Sequence, residues 1–243
     1  MCDIRSAQLI KYASNAFLAT KISFANAVAI ICENAGADIG DVMKGVGLDP
    51  RIGKSFLKPG IGYGGSCLPK DVLAFISQAS SFGYDFELLR AVNAINSYQI
   101  DLYINKIRKV MKREEKDKKT LEGLHFAVLG IAFKPDTDDI REAPSLKIIQ
   151  KLLDLKAEIT AYDPKAQENA KRVLPDINYA KSAYAALKNK DALLLITEWP
   201  EFLELDFTKV KLLLKNPIVV DGRNALDRGK LEKAGLKYIG VGR

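Results

Sequence analysis

A thiol, an ammonium, an amide and a carboxylate stand out in this 243-residue sequence because of what surrounds them. Cys67 follows Gly60-Ile61-Gly62-Tyr63-Gly64-Gly65-Ser66 and precedes Leu68-Pro69-Lys70-Asp71. Four glycines in the six positions from Gly60 to Gly65 let the chain take positive φ and let another group approach the backbone closely. Pro69-Lys70-Asp71 then opens an apolar run with helical spacing at Val72, Phe75, Ile76 and Ala79. A thiol just ahead of a helix N-terminus sits where amide N–H groups and the helix dipole favour an anion. That environment suits a thiolate nucleophile, and Lys70 adds a positive charge nearby. The same residues also describe a glycine-rich surface turn beside a small inert thiol.

Lys11 and Asn15 are four residues apart, so they share one helix face. They belong to a run from Ile4 to Ala35 that contains neither Gly nor Pro. This run predicts one helix of about 30 residues, about 45 Å long, with Gly36 placed to end it. Its apolar content is nearly all-round, which favours burial, and its length suits a spine crossing a domain or a dimer surface. An ammonium and an amide are unusual tenants of a buried helix. The alternative is a snorkelling Lys11 and a surface Asn15.

Around these residues the chain predicts two kinds of structure. A shorter helix follows from about Asp38 to Val46, and Arg51 to Lys58 forms a basic, irregular approach to the glycine loop. Helices from Lys70 to Ser81 and from about Phe86 to Lys112 make the first half all-α. Short apolar strands then alternate with helices: 126–129, 158–162, 192–196, 218–220 and 236–239 are strands, and 144–155, 165–173, 182–188, 206–214 and 227–234 are helices. That alternation predicts a doubly wound parallel sheet, a Rossmann-like α/β domain. The expected organisation is a helical domain over 1–113, a charged linker over 114–123 and the α/β domain over 124–243.

Ligands of such sheets bind at the carboxyl ends of the strands. Those ends carry Gly130 to Lys134, Asp163, Thr197-Glu198-Trp199 and Asp221-Gly222-Arg223. The first strand is followed by Gly130-Ile131-Ala132-Phe133-Lys134-Pro135, so the G-x-G-x-x-G dinucleotide fingerprint is missing there. Lys134 and Arg223 offer positive charges suited to phosphate, which predicts a nucleotide-like ligand other than NAD in this domain. Two ordinary surface charges beside loops would give the same pattern.

Composition narrows the remaining classes. Hydrophobic content of 48% with 28% charged residues fits a soluble globular protein. Cys2, Cys32 and Cys67 are odd in number and widely spaced, and there is a single His125, so neither a disulfide framework nor a metal site is expected. A reducing, cytoplasmic setting fits that cysteine usage. No signal peptide and no uninterrupted apolar span of about 18 residues is found, so no membrane partner is expected. The formal charge of +7 is partly local: residues 106–122 hold eight basic residues against four acidic ones. Without interleaved aromatics, that run reads as a solvated helix end and linker, and no nucleic-acid partner is expected.

Together these stretches resemble the nucleotide-sugar 6-dehydrogenases, the family of UDP-glucose and GDP-mannose dehydrogenases. The resemblance rests on Ile10 to Leu18, Arg51-Ile52-Gly53, Phe56-Leu57-Lys58, Gly60 to Asp71, Gly130 to Glu142, Thr197-Glu198-Trp199 and Asp221 to Asn224, and it covers nearly the whole chain. Gly64-Gly65-Ser66-Cys67-Leu68-Pro69-Lys70-Asp71 suits both kinds of member, while Ile61-Gly62-Tyr63 looks more like those that use UDP-glucose. The resemblance implies oxidation of a primary alcohol to a carboxylate with two NAD in turn, through a thiohemiacetal and a thioester on Cys67. It implies that Lys11 and Asn15 stabilise the oxyanion and position water. Asp71 would orient Lys11 or a water, or act as a general base. Phe56, Leu57, Lys58, Gly60, Tyr63 and Gly64 would hold the UDP-sugar, with Lys134 and Arg223 from the second domain. Arg51 would reach the substrate of a neighbouring subunit, which implies a homodimer through the long helix, and Arg141 would approach the NAD. The family also carries an N-terminal NAD-binding domain, and nothing like it precedes Cys2. The expectation is therefore a chain inactive alone, and a non-catalytic dimerisation or substrate-binding module is the alternative.

Overall fold

Asp3 opens the first helix by accepting hydrogen bonds on its carboxylate from the backbone N–H groups of Arg5 and Ser6. The computed structural model describes residues 2–112 and 120–243. Helix α1 (Ile4–Ala35) runs for 32 residues and ends at Gly36, whose φ of 71° and N–H bond to the Cys32 carbonyl make a left-handed cap. Helix α2 (Ile39–Val46) is capped by Asp38, and α3 (Leu68–Ser81) and α4 (Glu87–Val110) complete the helical half. Helix α3 begins two residues earlier than the spacing predicts. Pro69 is tolerated in a first helical turn, where its missing N–H costs nothing. The earlier start makes Cys67 the N-cap residue.

The chain divides into two compact units, one containing the residues up to Gln99 with Gly242 and Arg243, the other Ile100–Val241. The division falls inside α4. Most of the expected 114–123 linker, residues 114–119, lies outside the described residues.

In the first unit, the buried face of α1 consists of small or polar residues: Ala16, Ala19, Ser23, Ala25, Asn26 and Ala29. Small side chains let neighbouring elements come close, and Ala19 meets Tyr63, Val72 and Val92 in one apolar cluster. Ser23 satisfies its hydroxyl on the Val92 carbonyl at 3.1 Å. The all-round burial expected for α1 is not met. Ile10, Phe17, Phe24 and Ile31 remain exposed, because the elements of the unit cover only one side of the helix. These four residues are spaced by seven, so they form one stripe along the helix. By length and composition alone α1 is also apolar enough to cross a membrane, but it is the core helix of its unit.

The second unit is built on six parallel strands. In chain order these are β1 (His125–Leu129), α5 (Pro144–Asp154), β2 (Glu158–Tyr162), α6 (Gln167–Lys171), β3 (Asn178–Tyr179), α7 (Ala183–Leu187) and β4 (Ala192–Leu195). There follow α8 (Pro200–Leu203), α9 (Phe207–Leu213), β5 (Ile218–Asp221), α10 (Arg228–Lys233) and β6 (Lys237–Ile239). The strand order is β3-β2-β1-β4-β5-β6, with Val128 of β1 facing Ala161 of β2 on one side and Leu194 of β4 on the other. Strands β1 and β4 are wholly buried apart from His125, as parallel strands covered by helices must be. The winding direction reverses between β1 and β4, which opens a crevice beyond their carboxyl ends. The helical region followed by a Rossmann-like α/β region is the class the sequence predicts. Strand β3 and helix α8 are additional, with two and four residues.

Candidate active site

Cys67 is exposed at the N-cap of α3, and its side chain makes no capping bond. Its carbonyl accepts the Asp71 N–H at 2.9 Å, which starts the helix and fixes the thiol one turn ahead of that carboxylate. The Ser66 hydroxyl lies 3.7 Å from the Cys67 sulfur. Asp71 is only 1% exposed. Its Oδ2 accepts a 2.7 Å hydrogen bond from Asn15 Nδ2 and lies 3.6 Å from Lys11 Nζ. Its Oδ1 lies 3.9 Å from Lys70 Nζ and has no hydrogen-bond partner among the described residues. A buried carboxylate without compensation costs several kcal/mol, so the amide and the two ammonium groups are what keep Asp71 in place. The structure thus brings Lys11, Asn15 and Asp71 together from α1 and α3, with Cys67 one turn away. An open cleft of about 510 Å³ lies beside Lys11, between Gln8 and Tyr12 of α1 and Ser77 and Gln78 of α3.

Two asparagines that the sequence reading did not single out hold the glycine loop. Asn26 of α1 accepts the Gly60 N–H at 2.8 Å. Asn96 of α4 accepts the Tyr63 N–H at 2.8 Å and donates to the Tyr63 carbonyl at 3.2 Å. The available signal for Asn26 was its place eleven residues after Asn15, three helical turns along the same face, and the structure buries it fully. Tyr63 turns its ring inward, and burial pushes its phenol up to about 12. Phe56 takes a left-handed φ of 64° and is partly exposed, Leu57 is buried and Lys58 is exposed. Arg51 is 88% exposed and forms a bidentate pair with Asp49, which raises the arginine's pKa and lowers that of Asp49. Lys21 of α1 holds this loop by donating to the Ile52 carbonyl at 2.8 Å.

In the second unit the carboxyl ends of the strands are organised by Asp163, which is fully buried. Its two oxygens accept from the N–H groups of Ile131, Ala132, Lys165 and Ala166 and from the Trp199 indole. Gly130 has a φ of 94°, and a Cβ there would stand 2.4 Å from the Thr197 Cβ. Thr197 donates its hydroxyl to the Ala132 carbonyl at 2.6 Å. Arg223 is tucked beneath this turn: its Nε donates to the Ile196 carbonyl at 2.7 Å and lies 3.5 Å from Glu198 Oε2. Burial lowers the pKa of Arg223, and Glu198 and Asp221 oppose that shift. Lys134 is exposed, with its ammonium 5.6 Å from the centre of the Phe133 ring. Arg141 is exposed and forms a bidentate pair with Asp139, which holds that carboxyl below its ordinary value.

This turn does not fit a dinucleotide. The Ile131 and Ala132 N–H groups are already bonded to Asp163, and Gly130 is packed against Thr197. Neither feature leaves amides for a pyrophosphate. Among the described residues no group of three His, Cys, Asp or Glu could hold a metal ion.

Comparison with known proteins matches both halves. Residues 5–98 match the central domain and residues 127–228 the UDP binding domain of the UDP-glucose/GDP-mannose dehydrogenase family. The chain is 47% identical over 242 residues to the UDP-glucose 6-dehydrogenase TuaD of Bacillus subtilis, covering 99% of this chain and 51% of that protein. It is 43% identical to the UDP-glucose 6-dehydrogenase of Rhizobium meliloti, over 98% of this chain and 53% of that protein. A UDP-glucose dehydrogenase structure from Pyrobaculum islandicum matches with a TM-score of 0.85 at 38% identity, over 98% of this chain and 51% of that chain. The chain therefore spans about half the length of the relatives it matches. A helical unit with a thiol one turn ahead of a buried carboxylate, joined in sequence to a sheet unit of nucleotide-binding order, agrees with both matches, and the chain belongs to the UDP-glucose/GDP-mannose dehydrogenase family.

Proposed function

We propose that this chain is the substrate-handling part of a UDP-glucose 6-dehydrogenase, which oxidises the C6 alcohol of UDP-glucose to a carboxylate in two steps. The observation that carries the proposal is the exposed Cys67 thiol, one turn ahead of the buried Asp71–Asn15–Lys11 cluster. The 47% identity to a UDP-glucose 6-dehydrogenase supports UDP-glucose over other nucleotide sugars. In this reading the Cys67 thiolate adds to the C6 aldehyde. A carbon–sulfur bond forms and the carbonyl electron pair moves to oxygen, giving a thiohemiacetal. The Lys11 ammonium and the Asn15 amide stabilise that oxygen. Asn15 gives one N–H to Asp71, which locks the amide plane and leaves its second N–H for the oxyanion or for water. At the thioester, water adds to the carbonyl, the carbon–sulfur bond breaks and the thiolate leaves. Asp71 orients Lys11 or that water, or takes the water's proton itself.

NAD is the hydride acceptor in this proposal. The turn after β1 has its amides bonded to Asp163, and the chemistry assigned to this chain's residues is the covalent capture and the hydrolysis, with Arg141 near the NAD. Phe56, Leu57, Lys58, Gly60, Tyr63 and Gly64 are the sugar-binding residues of the first unit, and Lys134 and Arg223 the phosphate-binding residues of the second. Two copies associate through the exposed stripe of α1, and Arg51 extends from the loop tied to α1 by Lys21 toward the partner's substrate. Three unpaired cysteines suit a reducing cytoplasm.

Titration calorimetry with UDP-glucose tests the proposal. Binding that GDP-mannose does not compete away is expected, and no heat at millimolar UDP-glucose in a folded sample would overturn it.

A further inference from the structure

Four glycines from Gly60 to Gly65 give this loop wide intrinsic backbone freedom, and side chains from outside it bind its backbone. Gly62 and Gly65 take φ values of 94° and 84°. Between them, Tyr63 has both of its backbone polar groups bound by a single side chain, the carboxamide of Asn96. The arrangement imitates the reciprocal pairing of two strands. It also fixes the amide's orientation, because the Tyr63 N–H needs the oxygen and the Tyr63 carbonyl needs the nitrogen. The fit is close on the other side as well: a Cβ at Gly62 would stand 2.8 Å from Asn96 Oδ1. Asparagine at 96 in this pose therefore requires glycine at 62.

We propose that Asn96 is a positioning residue of the substrate loop, setting the backbone shape in which residues 60–66 receive the sugar nucleotide and present Cys67. The proposal rests on the reading of this loop as the sugar site. Asn96 touches no reacting atom in that reading. It acts by removing loop conformations that ligand binding would otherwise have to remove. Asn26, which holds Gly60 from α1, leaves the Tyr63 end free, so the two tethers do not replace one another.

The test uses the full 243-residue chain as wild type, Asn96→Ala, the near-isosteric Asn96→Asp, and Ser97→Ala as a control on the exposed side of the same helix. Three quantities are measured: the UDP-glucose dissociation constant by calorimetry, the iodoacetamide alkylation rate of Cys67, and the far-ultraviolet circular dichroism. Both Asn96 variants are expected to keep the helical signal, to bind UDP-glucose about tenfold more weakly and to change the alkylation rate by threefold or more. Ser97→Ala is expected to match wild type. A folded Asn96 variant that keeps both quantities within twofold of wild type overturns the proposal. Asn96→Asp decides the matter if Asn96→Ala does not fold. If the wild type itself binds no UDP-glucose, the sugar-site reading fails. The alkylation rate then judges the tether alone, and an unchanged rate overturns it.

Discussion

Asn15 on α1 donates a 2.7 Å hydrogen bond from Nδ2 to Oδ2 of Asp71 on α3, across 56 residues of sequence. The bond places the buried carboxylate of α3 against α1 at Asn15, one turn beyond Lys11. Lys11 joins it from the solvent side, with its side chain 61% exposed.

Asp71 is expected to matter most for stability, because removing one partner of a buried charged hydrogen bond leaves the other uncompensated. Asp71→Ala is expected to cost about 2–3 kcal/mol and Asn15→Ala about 1–3 kcal/mol. Lys11→Met should cost under about 1 kcal/mol, because exposed ion pairs contribute little. Urea denaturation of the three variants checks the order, and a Lys11 effect larger than that of Asp71 would contradict the geometry.

Tyr63 gives a pH dependence with a defined sign. Its phenol is buried, has no hydrogen-bond partner among the described residues, and is pushed from 10.0 up to about 12. The folded pKa lies above the unfolded one. Its stabilising contribution is therefore complete below pH 10 and is lost as pH rises through 12. A shift of that size corresponds to about 2–3 kcal/mol. Tyr63→Phe is expected to be neutral or slightly stabilising at pH 7 and to flatten the loss between pH 10 and 12, as read by unfolding in buffered urea.

The α1 stripe makes an assembly prediction. Phe17 is 66% and Phe24 54% exposed, and seven-residue spacing is what two helices packed side by side require. Light scattering after gel filtration is expected to give a dimer for wild type and a monomer for Phe17→Glu with Phe24→Glu. A wild-type monomer at 100 micromolar, an arbitrary order-of-magnitude test concentration of about that value, would remove this interface from the proposal.

Arg223 is expected to dominate phosphate binding in the second unit, because its guanidinium is already fixed by the Ile196 carbonyl and Glu198. Arg223→Met should weaken UDP binding by about tenfold or more. Lys134→Met should weaken it by about threefold, since that ammonium is an exposed, strongly hydrated point charge. Calorimetry with UDP separates the two, and equal effects would count against a preset Arg223.

Gly130→Ala is expected to destabilise the second unit by about 2 kcal/mol or more. The added methyl would meet the Thr197 backbone at 2.5 Å, on a residue whose φ of 94° disfavours side chains. Thermal unfolding followed by Trp199 fluorescence reads this change.

The division into a helical and an α/β region was legible because periodicity is a local property. The run free of Gly and Pro from Ile4 to Ala35 and the apolar strand Glu158–Tyr162 have the same bounds in the structure as in the pattern. Strand β3 was not legible: two residues carry no period, and Asn178 and Tyr179 are a strand only because they pair with Thr160 and Ala161. The thiol loop and the Lys-x-x-x-Asn helix face were each readable, because each is a spacing within one element, and their pairing was an expectation of the family resemblance.

The sequence by itself determined the helix face that Lys11 and Asn15 share and the position of Cys67 ahead of a helix. Tertiary structure decided which partners those residues meet. It buried Asp71 under Asn15, turned Tyr63 inward onto Ala19 and Val72, and placed Asn96 against Gly62. It also used the Ile131 and Ala132 amides on Asp163, 31 and 32 residues away, where a dinucleotide turn would leave them open. The physical reason is that propensity and spacing act over a few residues, whereas a hydrogen bond or a buried contact depends on which distant segments folding brings within about 3 Å of each other.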